Sequence, residues 1–161
     1  MCEVLLESDL IPLNQFPSSM INYPREYVKI TRPEDLEEFD YISNLTKDSI
    51  IDFSKFRITS SDLSWKGIYY LLPIAQRKYL QEPDDSIIDF FEGLSWLLEY
   101  DNGIEKLVKI MKKDDIKRLK DWFCFLLRNK NKIPNEDFIE FYEKEIIQHV
   151  NYLKNYLGEI S

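Results

Sequence analysis

From about residue 60 onward, apolar positions recur every three or four residues, the spacing of amphipathic helices. Ser61 or Asp62 is predicted to cap a helix that runs through Leu80. Leu63, Gly67, Tyr70, Leu71 and Ile74 line one side of it, and Leu72, Ala75 and Tyr79 another. A helix apolar on most sides belongs at the centre of its fold. Pro73 lies in its middle, should kink it, and leaves the Tyr69 carbonyl without its usual donor. Pro83 closes the segment, and Asp84-Asp85-Ser86 opens a helix over about 85–100 that buries Ile87, Phe90, Phe91, Leu94, Leu97 and Leu98. Asp101-Asn102-Gly103 is a stop-and-turn signal. A shorter helix over 103–112 carries Ile104, Leu107, Val108 and Met111. Asp114 or Asp115 is predicted to cap the next, which reaches Arg128 with Ile116, Leu119, Phe123 and Leu126 inward. After a loop at 129–134, a helix over 135–157 presents Ile139, Tyr142, Ile146, Val150, Leu153 and Leu157, and Gly158 ends it.

The first 60 residues are less regular. Pro12, Pro17, Pro24 and Ser18-Ser19 interrupt every candidate helix. Tyr27–Ile30 and Phe56–Thr59 alternate as two short strands would. Thr31-Arg32-Pro33-Glu34 reads as a helix start, with a short helix to about Asp40. The expected fold is all-α: one domain over 1–161 with about five to seven helices, irregular over 1–60 and a helical core over 61–158.

Composition narrows the function classes. The chain has 161 residues, 44% hydrophobic and 14% aromatic, with a formal net charge of −8. This suits a folded acidic globule and excludes collagen-like, disulfide-framework and free-standing basic nucleic-acid-binding classes. Cys2 and Cys124 are far apart, and Cys124 sits in an apolar run as a small hydrophobe would. The N-terminus carries Glu3, Glu7 and Asp9 where a signal peptide needs bases, so a cytoplasmic protein is expected. No apolar run approaches the length of a membrane span.

Charge is unevenly placed. Residues 1–62 carry net −6 and 63–105 net −5, whereas 106–135 carry +7 and 136–161 carry −4. The basic block holds Lys106, Lys109, Lys112, Lys113, Lys117, Arg118, Lys120, Arg128, Lys130 and Lys132. It reads as a solvated helix face, or else as a phosphate-binding strip. Its aromatics are not interleaved with its bases as stacking platforms would be.

On the 85–100 helix, Asp85, Asp89, Glu92, Trp96 and Glu99 fall within about 40° of one line at 100° per residue. A tryptophan among carboxylates, opposite an apolar face, is a candidate anchor for a basic protein partner. Glu34, Asp35, Glu37, Glu38 and Asp40 form a second candidate patch. Catalytic signals are sparse. His149, the one histidine, falls at the margin of the last helix's apolar face; Glu145 could orient it as an acid–base group, but no triad completes. Paired histidines for a metal and clustered glycines for a phosphate are missing, so no catalytic residue, metal or cofactor is expected.

Phe56–Leu127 resembles a group of small, all-helical bacterial proteins. The residues that carry the likeness are Tyr69-Tyr70-Leu71-Leu72-Pro73-Ile74-Ala75, Ile88-Asp89-Phe90-Phe91, and Leu119, Trp122, Phe123 and Leu126. Ile74 departs from the group's proline–alanine adjacency. Such proteins are similar to immunity proteins of toxin systems, including contact-dependent growth inhibition. The resemblance implies an inhibitor, with no chemistry of its own, that occludes the basic active-site cleft of a cognate toxin domain such as a nuclease. It implies no direct nucleic-acid or membrane contact. The residues also admit a nucleic-acid-associated regulator working through 106–132, or a protein-interaction adaptor.

Overall fold

Helix α3 (Trp65–Gln81) is buried along nearly all its circumference: Ile68, Tyr70, Leu71, Leu72, Ala75, Gln76 and Tyr79 all lie inside. The computed structural model describes residues 5–56, 62–129 and 136–159, with side chains except at 136–141. Around α3 stand α1 (Arg25–Thr31), α2 (Leu36–Ser43), α4 (Asp85–Glu99), α5 (Gly103–Val108), α6 (Lys113–Arg128) and α7 (Glu136–Tyr156). One contiguous apolar cluster runs from Leu10 through α2 to Leu153 in α7. Edge-on aromatic pairs stiffen its centre, with Tyr79 against both Phe91 and Trp122 at 5.8 and 5.4 Å. The fold is all-α, and β pairing among the described residues is an isolated Ile21–Leu63 bridge. No helix there is long and apolar enough to cross a membrane.

Helix α3 continues through Pro73, and a neighbour supplies the hydrogen bond that the proline removes. Asn14 Nδ2 donates to the Tyr69 carbonyl at 3.0 Å, the acceptor that proline leaves without its i+4 partner. The same irregular segment is tied to α3 further along. Ile11 N–H donates to Gln76 Oε1 at 3.0 Å, and Arg77 donates to the Ile11 carbonyl at 2.9 Å while pairing with Glu7. Near the helix start, Ser64 N–H donates to the Met20 carbonyl at 2.8 Å. Residues 5–22 therefore form a strap of extended chain and one 3-10 turn (Glu7–Asp9). Gly67 admits it, since a Cβ there would stand 2.9 Å from the Met20 carbonyl oxygen.

Several local expectations are corrected. Tyr27–Ile30 is not a strand but the body of α1: Pro24 supplies the extended residue before the helix, and Thr31 Oγ1 donates to the Tyr27 carbonyl. No neighbouring strand offers it a ladder among the described residues, and a four-residue alternation is too short to outweigh the turn that Pro24 starts. Thr31 ends α1 and caps nothing; Pro33 opens a 3-10 turn that leads into α2, which ends at Ser43, three residues beyond Asp40. The N-terminal third is thus more helical than expected. Phe56 closes a 3-10 turn (Phe53–Phe56), and the rest of that candidate strand, like Ser61, lies outside the described residues. So do 130–135, Cys2 and the Ile139 side chain.

Ser64 caps α3, accepting from Gly67 N–H at 2.9 Å, while Asp62 is buried in an ion pair with Arg32. Helix α5 ends at Val108, four residues early. Neither Asp114 nor Asp115 caps α6; Asp115 is buried and accepts from the Tyr69 hydroxyl and from Arg118. The turn before α5 is as expected, but its left-handed residues are Asp101 and Asn102. Gly103 serves close approach instead, since a Cβ would meet the Leu97 carbonyl oxygen at 1.9 Å. Gly158 ends α7, with Glu159 N–H donating back to the Lys154 carbonyl at 2.8 Å.

The repair at Tyr69 is testable by a double-mutant cycle. Asn14→Ala should cost about 1–2 kcal/mol by urea denaturation, the cost of orphaning a part-buried carbonyl. In a Pro73→Ala background, where residue 73 regains its N–H, the same change should cost much less. Equal costs in the two backgrounds would show that the amide does not serve that carbonyl.

Candidate functional site

Helix α4 positions the predicted acidic stripe. Asp84 caps it, accepting from Ile87 N–H at 3.0 Å and from the Ser86 hydroxyl at 2.6 Å. The Ser86 bond leads the causes that bring the Asp84 carboxyl down to about 2, so the cap is charged at any ordinary pH. Ile87, Phe90, Phe91, Leu94, Ser95 and Leu98 face inward and fix the rotation of the helix.

The five stripe residues do not share one environment. Asp85, Trp96 and Glu99 are exposed, Trp96 by 50% of its surface. Asp89 and Glu92, between them, are half-buried, and α4 packs along α7. Burial raises the Glu92 carboxyl above its ordinary range, and the Asp89 charge adds to it. On α7, burial raises the Tyr142 phenol, followed by the charges of Glu92 and Glu145. The middle of the stripe is therefore part of the α4–α7 seam, and its two ends are open. At the C-terminal end the Trp96 ring stacks on Tyr100, with centroids 4.9 Å apart and planes 12° from parallel. Tyr100 is 62% exposed and extends the aromatic surface. Its i,i+4 spacing from Trp96 is the available sequence signal, though Tyr100 projects just outside the 40° stripe.

The second patch is smaller than its sequence suggests. Glu34 and Glu37 are exposed. Asp35 is only 5% exposed and pairs with Arg32, which also holds Asp62. Glu38 is half-buried and engaged. Asp40 binds Arg25 at 2.8 Å, and that bond holds its carboxyl below the ordinary range. The 3-10 turn Phe53–Phe56 touches both α2 and α4, the helices that carry the two patches.

His149 is 3% exposed, set between α4 and α6. Its Nε2 lies 3.3 Å from the Ser95 carbonyl oxygen and 3.5 Å from the Ser95 hydroxyl, and its ring lies 5.6 Å from that of Phe123. Burial pulls its pKa down, against smaller upward effects from the Ser95 carbonyl and Glu145. Glu145 does not orient the ring as the sequence suggested; Ser95 does. In the basic block, Lys106 pairs with Asp101, Lys109 with Glu105, Arg118 with Asp115 and Lys120 with Glu159. Trp122 and Phe123 are buried in the α6 core. Among the described residues, no group of three or more His, Cys, Asp or Glu side chains is placed to hold a metal ion.

Family models, curated proteins and solved structures give no match to this chain.

Two stability effects of opposite sign follow from the seam. A raised carboxyl pKa costs stability once pH exceeds that of the unfolded chain, near 4.3, and the cost vanishes below it. Glu92→Gln should therefore raise the thermal midpoint at pH 7 by a few degrees, with the gain fading toward pH 4. A lowered histidine pKa works the other way: its contribution is present above about 6.5 and is lost as pH falls below that. His149→Gln should flatten the loss of stability between pH 7 and pH 5, read from melts across that range. An unchanged pH profile in either variant would overturn the corresponding assignment.

Proposed function

We propose that this protein is a stoichiometric inhibitor: it binds a basic toxin domain of its own strain and occludes that domain's active-site cleft, as an immunity protein does. The observation that carries the reading is the exposed, stacked Trp96–Tyr100 pair beside Glu99, at the open end of an acidic helix. Two large rings with little conformational freedom make a preorganised anchor, and the carboxylates around them disfavour every partner but a basic one. A net charge of −8 steers such a partner inward before contact. The burial of His149 against Ser95 supports a packing role for that residue over acid–base work. Ion pairs at Lys106, Lys109, Arg118 and Lys120 reduce the charge the basic block can offer to phosphates, which favours the inhibitor over the nucleic-acid regulator.

The partner to try is the C-terminal domain of the protein encoded immediately upstream. Co-expression should restore growth to cells producing that domain. Trp96→Ala should speed dissociation of the purified complex about tenfold or more, as loss of an aromatic anchor does. Asp85→Lys with Glu99→Lys should slow association and flatten its dependence on salt. Full neutralisation and unchanged rate constants in these variants would remove the α4 face from the interface; no rescue by the wild-type chain would remove the inhibitor reading.

A further inference from the structure

A cleft of about 590 Å³ opens between the Leu13–Ser18 part of the strap, helix α3 and the connection from α5 to α6. That size lies within the range of small-ligand sites, about 300–1,000 Å³. The charged side chains on its wall are Lys66 and Lys112, and no carboxylate lines it, on a chain of net charge −8. Both lysines are exposed, and neither forms an ion pair among the described residues. Asp115, which bonds the lining residue Tyr69, is already committed: it accepts from the Tyr69 hydroxyl and from Arg118. Gln15 and Ser18 add polar groups at the rim. Lys112 also precedes α6, whose first turn carries Asp114 and Asp115, so the pull on a phosphate rests on the two lysines and not on the helix end.

The rest of the wall is apolar and firmly held. Phe16 packs edge-on against the buried Tyr70 ring, with centroids 5.0 Å apart and planes at 75°. The half-buried Tyr69 ring and Ile110 face the same space. Asn14 spends its amide on the Tyr69 carbonyl, so this edge of the cleft is fixed to α3 by the contact that repairs Pro73.

We propose that the cleft binds a small aromatic phosphomonoester. Near pH 7 such a phosphate carries a charge of about −1.5 to −2, which two otherwise unpaired ammonium groups match. Its ring would lie on the Phe16–Tyr69–Ile110 wall, where stacking on aromatic side chains is tolerant of ring identity. The cleft is distinct from the α4 face, and the inference does not rest on the inhibitor reading.

The test is a titration of the uniformly 15N-labelled full chain with AMP at low salt, with adenosine and inorganic phosphate as separate arms. AMP should shift the amides of Asn14, Gln15, Phe16, Tyr69 and Lys112 saturably, and each separate arm should bind about tenfold more weakly or worse. Lys66→Glu with Lys112→Glu should weaken AMP by about tenfold or more, with the unfolding midpoint unchanged because both side chains are exposed. Shifts that fail to saturate, that spread equally to Lys113, Lys117 and Arg128, or that survive the double charge reversal would overturn the proposal. So would inorganic phosphate binding as tightly as AMP, since the ring wall would then contribute nothing.

Discussion

The structure depends on the contact between a buried helix that lacks one hydrogen bond and the extended segment that supplies it. Proline in a helix interior removes a donor, and a carbonyl buried without a partner is costly. Here the acceptor is Tyr69 and the donor is Asn14, 55 residues earlier in the chain. The consequence is reciprocal. Extended chain without a sheet has backbone groups to satisfy, and Ile11 satisfies both of its own on Gln76 and Arg77 of the same helix. Strap and helix each complete the hydrogen bonding of the other, so residues 5–22 belong to the core despite their irregularity. The cost of the irregular segment in conformational entropy is offset by side-chain contacts, with no ladder or helix of its own.

Charge follows the same logic of prior commitment. The acidic sequence suggests a broadly acidic surface, yet several carboxylates are consumed internally. Asp35 and Asp62 share Arg32, Asp115 holds Tyr69 and Arg118, and Asp40 holds Arg25. The Tyr69 phenol is pushed up to about 12, chiefly by burial and then by its bond to Asp115, so this network keeps its proton through the physiological range. Of the two candidate patches, the carboxylates left in the open are Asp85, Glu99, Glu34 and Glu37. Net charge still governs the far field, but near contact depends on this reduced set.

Helical periodicity made the C-terminal two thirds legible, because long amphipathic segments carry many independent repeats of one signal. Helix α4 was readable to within a residue: Asp84 at one end and left-handed Asp101 and Asn102 at the other are local features written in residue type. The start of α3 was not, since Ser61, Asp62 and Ser64 are all good caps and tertiary contacts decide among them. Arg32 takes Asp62 inward, which leaves Ser64 to cap. The same limit applied to the candidate face. A helical projection places Asp89 and Glu92 beside Trp96, but it has no knowledge of α7, which covers the middle of that line. Tyr100 is missed for the complementary reason: it stands one turn after Trp96 but about 60° from the line of the stripe at 100° per residue, outside its edge.

Helix α4 consequently does two jobs that pull against each other. Its seam with α7 holds a half-buried Glu92, the Tyr142 phenol, and a buried Glu145 oxygen without a hydrogen-bond partner. Apolar residues at those positions would pack at less cost, so the seam is not optimised for stability. Ser95 ties the two roles together. Its carbonyl meets His149 inside the seam, and the next residue, Trp96, stands on the open face. The Ser95 carbonyl favours a charged imidazole, but burial outweighs it, so His149 is held inside the seam at a cost that grows as pH falls.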